Sequence, residues 1–174
     1  MGTENLEIQK QRQILKWNLG RLYRAAKKKR YLEQRLSWIS EERSSPISGR
    51  GYDGMPRTSG KVSDGAASIV IRISEIEERI TEQNQEIDRA LDFVMDVIGY
   101  LPNNDKHELT REIMERHHID FMKMRDIAKE IPMSRSQVHR KYNEGLDALL
   151  EFKRIQKIIE ESEDEYDTWI TRKL

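Results

Sequence analysis

One strictly spaced apolar seam constrains this chain more than any other feature. Val62, Ala66, Ile69, Ile73, Ile76, Ile80, Gln83, Ile87, Ala90 and Val94 recur at alternating steps of four and three, and the seam ends at Val97 or Ile98. Kept over about five heptads, that spacing lays one narrow stripe along a helix and requires a partner helix to cover it, with Gln83 as the single polar member. A second long helix is predicted upstream. From about Glu4 to Arg43 proline is absent, Gly20 is the only glycine, and Leu15, Leu19, Leu22, Ala26, Leu32, Leu36 and Ile39 recur mostly at three- and four-residue steps. Between Ser44 and Gly60 lie two prolines and four glycines, a composition that ends helices and makes turns. Ser63 or Asp64 is placed to cap the helix that follows.

The charges of these two helices oppose each other. Residues 1–61 carry 14 Lys/Arg against 6 Asp/Glu, and residues 62–100 carry 3 against 9, although the whole chain is neutral. An antiparallel hairpin turning near residue 52 would set Arg21, Arg24 and the cations of 27–30 opposite Glu75, Glu77, Glu78 and Glu82. Exposed pairs contribute only about 0.2 to 1 kcal/mol each, so they would choose register while the apolar seam stabilises. With 36 % charged and 7 % aromatic residues, the composition suits such helices better than a large globular core.

The segment LPNNDKHE, beginning at Leu101, marks the next boundary. Three further helices are predicted, over about 106–119, 124–131 and 134–161, and no strand pattern or repeat is found. The fold expected is therefore all-α: a long-helix hairpin or coiled coil over 1–100 with a Gly/Pro/Ser-rich loop at 44–62, a helix-turn-helix domain over 101–161, and an acidic tail over 162–174. Cysteine is absent, which excludes disulfides and cysteine-based metal sites. The N-terminus has no apolar signal core, and no apolar run approaches the roughly 20 residues needed to span a bilayer, so a soluble, cytoplasmic protein is expected.

The most informative stretch is MRDIAKEIPMSRSQVHRKYNEGLDALL, Met124 to Leu150. Ala128, then Pro132, Met133 and Ser134, then Val138, reproduce the spacing of a helix-turn-helix: a small residue at the crossing, a tight turn, a cap and an apolar anchor. Pro132 stands where such turns usually have glycine. Ser134 and Gln137 form a predicted capping box. Val138, Tyr142, Leu146 and Leu149 share a face that would pack on Ile113, Ile127, Ala128 and Ile131. The other face presents Arg135, Ser136, Gln137, His139, Arg140, Lys141 and Asn143, donors and acceptors suited to base edges and phosphates. Residues 134–143 hold three Lys/Arg and no acid.

On these residues the run from Leu109 to Leu150 resembles the fourth region of sigma-70-type factors, which is also the C-terminal domain of small phage and prophage transcriptional regulators of Gram-positive bacteria. The long helices around a Gly-rich loop resemble the late-gene activator type of those phage proteins. The resemblance implies binding of double-stranded promoter DNA by a recognition helix over about 134–148, and contact with RNA polymerase. Arg135, Gln137, His139 and Arg140 are then the expected base readers, with Ser136, Lys141 and Asn143 nearer phosphates, and the long helices are expected to form a homo-oligomer or to engage the polymerase.

Other features carry less. Gly54, five residues and then Gly60-Lys61 miss a phosphate loop by one residue, by Val62 in place of Ser or Thr, and by a preceding helix instead of a strand. The basic run AAKKKRY, from Ala25 to Tyr31, reads as a solvated face paired with the acidic helix, the alternative being a nucleic-acid patch. His117 and His118, with Glu115 and Asp120 nearby, point about 100° apart on a helix and do not converge on one ion. Trp17, Trp38 and Tyr23 read as seam or flank residues, the equal alternative for the two tryptophans being to dock a partner. With no nucleophile set or close carboxylate pair, neither catalysis nor a cofactor nor a metal is expected. Two rival readings share the helical plan: a phage small terminase subunit that recognises DNA for packaging, and a helical adaptor that binds only protein.

Overall fold

The computed structural model describes the backbone of residues 2–44 and 65–173, with side chains over 6–41, 67–105 and 107–173. Among the described residues there is no strand, and the helices are α1 (Gly2–Leu19), α2 (Arg21–Ser44), α3 (Gly65–Gly99), α4 (Asp105–His118), α5 (Met124–Glu130), α6 (Arg135–Leu150) and α7 (Lys153–Thr171). The chain is all-α, as expected. The loop beyond Ser44, with Gly54, Gly60 and Lys61, lies outside the described residues, as do the expected caps Ser63 and Asp64.

Two expected helices are each divided. The one from Glu4 to Arg43 breaks at Gly20, but only slightly, because Gly20 N–H still donates to Lys16 O at 3.0 Å and Gly20 O accepts from Arg24 N–H at 3.1 Å. The one over 134–161 stops at Leu150. Phe152 takes an extended backbone (φ −88°, ψ 125°) and its ring packs 5.5 Å from that of Tyr100. Gln156 Nε2 donates to Leu150 O at 3.0 Å and satisfies a carbonyl left at the end of α6.

The chain forms two compact units, Met1–Ala25 with Ile87–Leu174, and Ala26–Glu86. These borders differ from those expected near residues 101 and 162, and the reason is burial. Ile14, Leu15 and Leu19 of α1 and Val94, Val97 and Ile98 of α3 share one core with Ile113, Met114, Ile127, Leu146 and Leu149. The segment expected as an acidic tail is helical to Thr171 and buries Ser162 and Tyr166. Its acids face water or α1: Lys10 pairs with Glu163 and, at 3.4 Å, with Asp167. Asn18 Nδ2 donates to Ser162 Oγ at 2.7 Å, and Tyr166 O–H donates to Gln13 Oε1 at 3.0 Å. Helix α6 packs on α4, α5, α1 and α7, which makes it the centre of this unit.

In the unit Ala26–Glu86 the covered positions repeat the predicted seam. Between residues 27 and 41 the side chains withdrawn from solvent are Lys29, Leu32, Leu36 and Ile39; between 69 and 86 they are Ile69, Ile73, Ile76, Ile80 and Gln83. Every other side chain in those intervals is exposed. The expected ion pairs between residues 27–30 and Glu75, Glu77, Glu78 and Glu82 do not form among the described residues. Lys29 pairs instead with Glu33 (3.6 Å), Arg21 with Glu165 (3.9 Å), and Arg24 donates to Trp17 O (2.8 Å). The carboxylates project from exposed positions outside the seam, and an exposed pair is too weak to draw them in.

Candidate nucleic-acid interface

The segment from Met124 to Leu150 is two helices joined by residues 131–134. Ile131 is buried and closes α5 through its N–H to Ile127 O (3.0 Å). Ser134 then caps α6. Its Oγ accepts from Gln137 N–H at 3.3 Å, while Gln137 Oε1 accepts from Ser134 N–H at 2.8 Å, the reciprocal box read from the sequence. The expected anchors are in place: Val138, Tyr142, Leu146 and Leu149 are buried in the core with Ile113, Ile127 and Ile131, and Ala128 is packed against it.

Gly145 completes that inner face and carries a role the sequence reading missed. A Cβ there would lie 2.6 Å from Thr110 Cγ2 and 2.8 Å from Met114 Sδ, so its missing side chain is what brings α6 against α4. Beside it, the buried His118 shares a 2.9 Å hydrogen bond from Nε2 to the Tyr142 hydroxyl. Burial, with His117 and Lys16 adding positive potential, lowers the His118 pKa from its ordinary 6.5 to about 3, and burial raises that of Tyr142. Lys16 lies over the Tyr142 ring at 5.5 Å from its centroid. His117 Nδ1 is 2.8 Å from Met122 O. The two histidines are thus occupied, and no metal-binding group of His, Cys, Asp or Glu occurs among the described residues.

On the outer side of α6 the candidate readers separate into groups. At 100° per residue, Ser136, Arg140 and Asn143 fall opposite the buried stripe, flanked by His139 on one side and by Gln137 and Lys141 on the other, while Arg135 shares the azimuth of Tyr142 and Leu146 and is exposed as the first residue of the helix. Arg135, Ser136, Gln137, His139 and Arg140 are exposed; Lys141 and Asn143 are half-buried. The side chains of Arg135, Ser136 and His139 have no hydrogen bond or ion pair among the described residues. Arg140 and Lys141 share Glu144, at 3.7 and 2.8 Å. Gln137 is the exception to its expected role: its carbonyl oxygen is committed to the cap, which leaves only its amide N–H₂ for a ligand.

Two neighbours extend and brace this surface. Lys123, Arg125 and Lys129, which the sequence reading passed over, are exposed on or just before α5; their signal was the three cations within seven residues. Arg116 holds the two helices beneath, bonding Glu112 of α4 at 2.7 Å and pairing with Glu130 of α5. Arg12 of α1 grips Asp147 of α6 bidentately at 2.6 and 2.8 Å. The arrangement is a fixed helix with an open, acid-free first two turns. Its chemistry is that of hydrogen bonding and cation contacts.

No family model, no curated protein and no solved structure matches this chain.

Proposed function

We propose that the chain is a sequence-specific DNA-binding regulator of transcription, an activator of phage or prophage genes that contacts RNA polymerase. The observation that carries the reading is the acid-free run 135–143, whose polar side chains reach solvent while Val138 and Tyr142 are buried, started by a capping box. In this reading the first turns of α6 enter the major groove. Arg135, His139 and Arg140 contact base edges, Gln137 offers its amide donor, and Ser136, Lys141 and Asn143 lie nearer phosphates. Lys123, Arg125 and Lys129 add backbone contacts. The resemblance of 109–150 to the fourth region of sigma-70-type factors, and of the long helices to phage late-gene activators, points the same way. The seam positions of α2 and α3 favour an antiparallel two-helix coil as the other module.

The test is a gel-shift titration with a prophage promoter fragment. Arg135→Ala and Arg140→Ala each weaken binding by about 1–3 kcal/mol and relax sequence preference, whereas Lys141→Ala weakens binding to all sequences and lowers the salt slope by about one. Unchanged affinity in both arginine variants, with helicity intact, would refute the assignment.

A further inference from the structure

The unit Ala26–Glu86 covers one stripe of each helix and leaves two others bare. On α2, Lys28, Tyr31, Arg35 and Trp38 follow one another at steps of three, four and three, which aligns them on one face. All four are exposed, Tyr31 at 57 % and Trp38 at 64 %. On α3, Ile71, Glu75, Glu78 and Glu82 follow at steps of four, three and four, and all are exposed, Ile71 at 59 % beside Val70 at 51 %. The first stripe contains no acid and the second no base. Among the described residues, none of these charges has an ion-pair partner.

We propose that these two outer stripes are the halves of a self-complementary dimer interface, each α2 stripe lying antiparallel on the α3 stripe of a second copy of this chain. One register pairs the apolar ends and leaves no carboxylate against Trp38. With Trp38 of one protomer on Ile71 of its partner, Arg35 meets Glu75, Tyr31 meets Glu78 and Lys28 meets Glu82, so that every polar position finds an opposite or a hydrogen-bonding group and the aromatic finds an aliphatic. A two-fold axis uses each stripe once per protomer, which closes the assembly at two copies. The seam is already covered within the chain, so this contact makes four helices from two pairs. A nucleic acid suits the α2 stripe less well, because the same unit exposes Glu75, Glu77, Glu78, Glu82 and Glu86, whose field opposes a polyanion. The inference is independent of DNA binding by α6.

Sedimentation velocity of the full chain over roughly 1 to 100 µM tests it. The wild type is dimeric in that range. The double variants Lys28→Glu/Arg35→Glu and Glu75→Lys/Glu82→Lys each raise the dimer dissociation constant at least about tenfold, and an equimolar mixture of the two restores a heterodimer of near wild-type strength. If reversing charges melts the helices, as circular dichroism would reveal, Trp38→Ser/Ile71→Ser carries the test, since both positions are exposed and only the dimer should weaken. A monomeric wild type, a failed rescue, or a serine variant that dimerises normally overturns the proposal. So does a basic-stripe variant that keeps its mass while losing affinity for an oligonucleotide.

Discussion

Burial of a neutral histidine against the phenol of the central helix ties stability to pH. In the folded chain His118 protonates only near pH 3, whereas an unfolded histidine does so near 6.5. Between those values the unfolded state holds a proton that the folded state refuses. Stability from this group is therefore full above about pH 6.5 and falls by about 1.4 kcal/mol per unit below it. Urea unfolding at pH 7, 6 and 5 should show that loss, and His118→Gln should flatten it; equal slopes in the two proteins would remove His118 as the cause. Gly145 makes a second prediction at this scale. A methyl there meets the branched, buried Thr110 side chain, so Gly145→Ala should destabilise by about 1–3 kcal/mol, outweighing the roughly 1 kcal/mol by which alanine favours a helix. A rise in melting temperature would contradict it. The Ser134–Gln137 cap was legible in the sequence because both partners lie within one turn. The roles of Gly145 and His118 were not, since each depends on which helix comes to lie over it.

Helix α6 begins where local chemistry places it and ends where packing does. Ser134→Ala and Gln137→Ala each remove half of the capping box, and each should lower stability by about 1 kcal/mol in chemical denaturation. The Gln137 result is the more telling: if that substitution changes DNA affinity but leaves stability untouched, the side chain is a reader and not a cap. At the other end, no proline or glycine announces the break at residues 151–152. The apolar recurrence runs on from Leu149 through Phe152, Ile155 and Ile159, so periodicity alone continues the helix. The turn is made by tertiary contact, the Phe152 ring against Tyr100, which no window of sequence contains. The seam of α3 was legible from Ile69 to Val94, Gln83 included, because a strict heptad leaves a helix only one face to hide, while Val62 and the side chain of Ala66 lie outside the described residues.

At the scale of the molecule, heptad spacing does not mark where one compact unit ends and the other begins. Period tells which face of a helix is covered but not by what, and so α1 and the end of α3 were grouped with the hairpin although they belong to the core around α6. The acidity of residues 160–167 concealed Ser162 and Tyr166, which share the inner face of α7 with Ile159. Ile159→Ala is expected to cost about 2–4 kcal/mol in the unfolding of the core. No described helix is long and apolar enough to cross a membrane. The docking of α1 on α7 also orders events during synthesis. Asn18 must wait for Ser162, a separation of 144 residues, which at ribosomal speed is roughly 7 to 30 s. Ile14, Leu15 and Leu19 meet their partners in α3, α4 and α6 earlier, so it is the α7 side of α1 that waits longest. That face is completed last, after the helix proposed to read DNA has already been synthesised.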